Sequence, residues 1–140
     1  MDRLTHTARL TRDINADFDA ISNLSIGDGV SVCLWTDAEA YTIIAKTAKT
    51  ITLQQDKATL SPDWKPEFTV GGFAGHCTNQ NEQSYTYERD PDGHKIKISA
   101  RSWPDDEGGR RFKWKKAGVK TNELGGNAWV GRRKFHDYNF

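Results

Sequence analysis

Apolar residues recur at Ile14, Phe18 and Ile21 in an otherwise polar stretch, and this i, i+4, i+7 spacing predicts an amphipathic helix over residues 11–24. Thr11 stands where an N-cap belongs and Asp13 lies near the positive end of that helix. The ten residues before it are polar and are expected to be loose. After Ile26-Gly27-Asp28-Gly29 the period shifts from helical to extended. Residues 30–36 form a near-continuous apolar run, Asp37-Ala38-Glu39 is expected to turn the chain, and 41–46 and 50–55 are rich in β-branched residues, which predicts a three-stranded meander.

Further along, Pro62 and Pro66 bar residues 61–66 from a strand ladder, because each lacks a donor and restricts its predecessor. Residues 71–75 and 78–83 read as irregular. Asp90-Pro91-Asp92-Gly93 pairs a proline that presets a turn with a glycine suited to a positive φ, and predicts a β-hairpin joining 84–89 to 94–101. In its second arm Ile96, Ile98 and Ala100 share the inner face, which leaves Lys95, Lys97 and Arg101 outside. An acidic loop over 103–109 leads to a strand at 110–117, with Phe112 and Trp114 on one side and Arg111, Lys113 and Lys115 on the other. After a loop at 121–127, a last strand is expected at 128–135, with Gly131 marking a bulge. The expected fold is mainly β, one compact domain over 1–140. An arm and helix (1–25) precede a meander (26–60), and a region of antiparallel hairpins with a basic face (67–140) follows. Over about residues 26–60 the short strands, tight turns and Gly-Asp-Gly entry resemble small SH3-like barrels of the KOW or Tudor type.

Composition supports a folded domain: 140 residues are 36% hydrophobic and carry five Trp, six Phe and four Tyr. Charge sharpens the picture, because the net +1 hides an acidic first half and a basic second half. Between Gly109 and Phe135 nine Lys and Arg face a single acid, Glu123. The candidate ligand-binding residues are therefore Lys95, Lys97, Arg101, Arg110, Arg111, Lys113, Lys115, Lys116, Arg132 and Arg133. Tyr85, Tyr87 and Trp103 are placed at the rim to stack on bases. Nucleic acid or a nucleic-acid-handling complex is the expected partner, with a nucleotide ligand or a host enzyme as alternatives. Replacing Arg111, Lys113 and Lys115 together is expected to weaken binding and leave the fold intact. The competing reading is that these charges only solvate an exposed sheet face and block edge-to-edge association.

Other chemistries are less well supported. The glycines at 71–75 and 125–126 match neither GxGxxG nor GxxxxGK[ST] and precede no helical period, so turn geometry explains them better than phosphate binding. The four histidines and two cysteines lie at no zinc spacing, and no metal or cofactor is expected. A Cys77–His94 or Cys77–His136 pair oriented by Asp137 is conceivable only through folding. Asp105-Asp106-Glu107 sit in a polar loop rather than a burial site suited to a general acid. The expectation is a protein that is not an enzyme. Cys33 reads as a small core residue and the thiols as reduced. No stretch approaches the roughly 18 apolar residues of a membrane span and no signal peptide is evident, which predicts a cytoplasmic protein without membrane contact. The C-terminal run 134–140 is aromatic enough to dock, with Phe135 and Phe140 packing on the sheet.

Four phrases, residues 11–18, Gly27-Asp28-Gly29-Val30-Ser31-Val32-Cys33-Leu34-Trp35, Gly72-Phe73-Ala74-Gly75-His76-Cys77-Thr78-Asn79-Gln80 and Asp137-Tyr138-Asn139-Phe140, resemble a family of small phage and mobile-element proteins of bacteria. The resemblance implies no particular activity and no site residues. It implies a setting in the bacterial host cell, where such proteins often act in counter-defence by inhibiting host immune nucleoproteins or sequestering their nucleotide signals.

Overall fold

The structure is a computed structural model that describes residues 6–69 and 75–139, with only the backbone described over 6–12. Helix α1 (His6–Ser22) precedes ten short strands: β1 (Gly29–Leu34), β2 (Asp37–Lys46), β3 (Thr50–Gln55), β4 (Lys57–Leu60), β5 (Phe68–Thr69), β6 (His76–Cys77), β7 (Tyr85–Glu88), β8 (Lys95–Pro104), β9 (Arg110–Lys116) and β10 (Asn127–Val130). Six of them close an antiparallel barrel in the order β1-β2-β3-β8-β9-β10, so each barrel strand pairs with its chain neighbours once the segment between β3 and β8 is set aside. The mainly β, single-domain expectation holds, as does the opening meander β1-β2-β3.

Period-2 alternation builds the core. Val30 and Val32, Tyr41 and Ile43, Ile51 and Leu53, Ile96 and Ile98, Trp114 and Ala128 all point inward and are buried. Ile21 of α1 joins them, and Phe18 stacks on Trp114 with ring centroids 5.4 Å apart. Trp114 Nε1 donates to Ser22 Oγ at 2.9 Å, so the indole's one polar atom is satisfied by the helix it packs against. β9 and β10 pair only at Asn127–Lys115. Beside the unpaired part of β9 the helix supplies the missing neighbour: Phe112 N donates to Asn15 Oδ1 (2.7 Å) and Asn15 Nδ2 donates to the Arg110 carbonyl (3.0 Å). Lys46 Nζ donates to the carbonyls of Ser22 and Leu24 and satisfies the helix C-terminus.

Several local expectations are corrected. The helix already runs at His6, the first described residue, so Thr11 is an interior residue and not its cap, and residues 6–10 are helical. Leu10, four residues before Ile14, already extends the apolar period in that direction. The first hairpin turns at Trp35-Thr36, because Leu34 pairs with Asp37 and residues 37–39 belong to β2. Trp35 takes a left-handed φ of 56° there. Cys33 lies out of phase with Val30 and Val32 and is half-buried on the outer side.

The largest correction concerns Asp90–Gly93. The turn exists, with Gly93 N donating to the Asp90 carbonyl at 3.0 Å, yet it does not make a hairpin. β7 pairs with β4 and β8 pairs with β3 and β9, so both edges of β8 are taken. The chain kinks at Asp56 on one side and at 90–93 on the other. A two-stranded ribbon thus leaves the barrel as β4–β7 outside it. Gly93 is required for close approach rather than for a positive φ: a Cβ there would lie 2.1 Å from the Gln55 carbonyl oxygen.

Beyond the ribbon, β5–β6 and the C-terminal segment form a small second cluster around buried Trp64 and Cys77. Tyr138 packs between Trp64, Phe68 and His136, and Asn139 exchanges two hydrogen bonds with the Cys77 backbone. The C-terminus docks as expected for Phe135, which bridges to Ala38; Phe140 lies outside the described residues. The last strand ends at Val130, because Gly131 at φ 93° turns the chain away, and does not continue to 135.

Candidate nucleic-acid interface

Strand register decides which cations can act together. Across β8 and β9 Ser99 faces Lys115, Arg101 faces Lys113, and Trp103 faces Arg111. Directly opposed residues share a sheet face, so the two basic strips predicted from alternation merge into one outer surface of the barrel. Lys97 and Lys95 continue it along β8 opposite Thr52 and Gln54 of β3, and both are exposed. On the β10 side Trp129 lies 5.0 Å, ring centroid to ammonium, from Lys113 Nζ.

This surface is not uniformly available. Lys115 is only 4% exposed, and its ammonium donates to the carbonyls of Thr121 and Glu123, anchoring the loop over residues 117–126. Burial, then the neighbouring Arg101, holds its pKa below the ordinary lysine value. Arg101 is engaged with the same loop, donating to Ser99 Oγ (2.7 Å), Thr121 Oγ1 (3.1 Å) and the Lys116 carbonyl (3.3 Å). Lys113 is half-buried, and burial followed by the charge of Lys115 lowers its pKa against the opposing pull of Asp17. The expectation that Arg111, Lys113 and Lys115 can be removed together without touching the fold is therefore corrected, since Lys115 is a structural anchor.

The other predicted residues fall elsewhere. Arg110 and Lys116 are on the opposite phase of β9, in register with Pro104 and Ile98, and Arg110 Nη2 donates to Ser102 Oγ at 3.0 Å. Arg132 turns inward to Asp56, whose carboxylate is fully buried, at 2.8 Å, and also donates to Thr42 Oγ1 and the Gly27 carbonyl. Arg133 is exposed and lies over the Phe135 ring at 5.4 Å. Tyr85 and Tyr87 belong to the external β4–β7 ribbon, not to the rim of the basic face. Tyr85 donates to Gln83 Oε1 (2.7 Å), and Lys134 N donates to the Tyr87 hydroxyl (2.8 Å). Trp103 alone of the predicted aromatics lies on the basic face.

Trp103 also walls a shallow cleft of about 470 Å³ whose other side is Thr121 and Asn122. Arg101 braces the Thr121 wall through its bond to Thr121 Oγ1. Trp129 alternates with the basic residues in the sequence but is not among the predicted binding residues, although its alternation with small, buried Ala128 already sets it on the outer face. Cys77 Sγ donates to Asn79 Oδ1 at 3.4 Å and is buried. No group of three or more His, Cys, Asp or Glu capable of holding a metal occurs among the described residues, and no helix there is long and apolar enough to cross a membrane. Compared with protein-family models, curated proteins and solved structures, the chain gives no match.

Proposed function

We propose that this is a binding protein without catalytic activity, and that its ligand is nucleic acid, free or held in a host nucleoprotein, engaged by the outer face of β8 and β9. The observation that carries the reading is the register that joins Lys95, Lys97 and Arg101 to Arg111 and Lys113 on one face, with Trp103 and Trp129 among them. Such a face draws phosphates by Coulomb attraction with little dependence on sequence. A counter-defence role acts through the same contact, by occupying the nucleic-acid path of a host complex.

The direct test is fluorescence anisotropy of labelled oligonucleotides at low and near-physiological salt, comparing the wild type with the double charge reversal Lys95→Glu/Lys97→Glu. Both lysines are exposed and form no side-chain bond that the fold depends on, so the variant is expected to fold. Wild-type affinity should fall steeply with salt, and the variant should bind more weakly, with a log–log salt slope shallower by about two units. Unchanged affinity in the folded variant overturns the assignment of this face. Binding of a mononucleotide in place of oligonucleotides moves the reading to a nucleotide sponge.

A further inference from the structure

We infer that the nucleic acid taken by this face is single-stranded, with a base stacked on Trp103 in the cleft against Thr121-Asn122. The inference rests on the reading above and goes beyond it in naming the strand form and the seat of the base. The cleft volume of about 470 Å³ lies within the ~300–1,000 Å³ typical of small-ligand sites. Its lining is mostly apolar, the Trp103 indole facing Thr121 and Asn122, which suits the flat face of a base. Arg101, bonded to Thr121 Oγ1 and to the Lys116 carbonyl, holds the wall opposite Trp103 in place. Exposed Lys95 and Lys97, on the same outer face of β8, supply the cations for phosphates that flank a base seated on Trp103.

A duplex keeps its bases stacked on one another, so it offers phosphates and groove edges to this surface but no free base face to the indole. An unpaired strand presents base faces and phosphates together, the combination that stacking platforms in cationic grooves exploit. Trp129 is distinct in role: the Lys113 ammonium already occupies a position 5.0 Å from its ring.

The experiment compares labelled oligothymidylate, oligouridylate and a duplex of the thymidylate strand with its complement, at one salt concentration, on wild type, Trp103→Leu and Trp103→Phe. Wild type should bind either single strand at least about ten-fold more tightly than the duplex. Trp103→Leu, which keeps apolar bulk without an aromatic face, should lose about ten-fold for the single strands and little for the duplex, and Trp103→Phe should recover most of the loss. Salt slopes should be unchanged in both variants, since no cation is removed. Equal binding of duplex and single strand, or a Trp103→Leu variant as tight as wild type, overturns this inference while a weakened Lys95→Glu/Lys97→Glu variant keeps the parent reading. Absence of binding by every oligonucleotide at low salt removes both.

Discussion

Arg132 and Arg133 are sequence neighbours with separate roles, and nothing in their local context distinguishes them. The partner of Arg132 is Asp56, 76 positions away, a carboxylate with no exposed surface that also accepts from Thr42 Oγ1 at 2.6 Å. Arg133 has an exposed guanidinium above Phe135. Removing Arg132 strands a buried charge, whereas removing Arg133 costs one exposed cation–π contact. Arg132→Ala is expected to lower the unfolding free energy by roughly 3 kcal/mol, at the low end of the range for breaking a buried pair because the guanidinium is itself one-third exposed. Arg133→Ala should cost less than about 1 kcal/mol. Urea denaturation of the two variants decides it, and comparable losses would show that the Asp56 pair does not hold the C-terminal segment to the barrel. The same logic separates Lys115 from Lys97: period-2 alternation placed both on one face, but only the folded loop over 117–126 reveals that Lys115 is spent on carbonyls.

Elements were legible in the sequence where the information is local. The stripe at Ile14, Phe18 and Ile21, the meander, and the alternation in β8 and β9 all follow from side-chain period, and all are present. Partner choice was not legible, since it depends on which edges remain free after closure. Asp90-Pro91-Asp92-Gly93 carries strong hairpin chemistry, yet β3 takes the edge of β8 that a hairpin would need. The turn is instead clamped onto β3: Gln54 Nε2 donates to the Pro91 carbonyl at 2.8 Å, and Gln55 N donates to the His94 carbonyl at 2.8 Å. Gly93 sits where any side chain would collide with the Gln55 backbone. Gly93→Ala is therefore expected to destabilise by on the order of 1–3 kcal/mol, the cost of forcing backbone apart in a packed region. Gly108→Ala, at a loop φ of 83° with open space around it, provides the contrast, since its cost comes only from the strained dihedral. Thermal melts of both variants test the point: a fully tolerated Gly93→Ala would mean that the ribbon is not held where it leaves the barrel.

Closure shapes the whole molecule, because every barrel strand has a neighbour on each side and the stretch of β9 that β10 leaves unpaired is met by Asn15 of α1, leaving the barrel's faces and loops for recognition. It also fixes the electrostatics of the interior. Tyr41 is an inward-facing core residue, 5% exposed, and burial together with the nearby Glu39 carboxylate raises its phenol pKa above the ordinary 10.0. The folded protein thus keeps this proton at a pH where the unfolded chain releases it. Stability supplied by the protonated phenol is fully present below pH 10.0 and is lost as pH rises toward the folded value. Lys113 and Lys115 act in the opposite sense: their pKa values are lowered by burial, so the stability their charge costs returns as pH climbs toward the ordinary 10.5. The alkaline profile of the wild type is a composite, and a difference measurement isolates the phenol. The unfolding free energy of wild type minus that of Tyr41→Phe is expected to stay constant up to about pH 10 and then fall, as read from urea titrations at successive pH values. Parallel curves through that window would mean that the phenol ionises as readily in the barrel as in the unfolded chain, and that water reaches it inside the barrel.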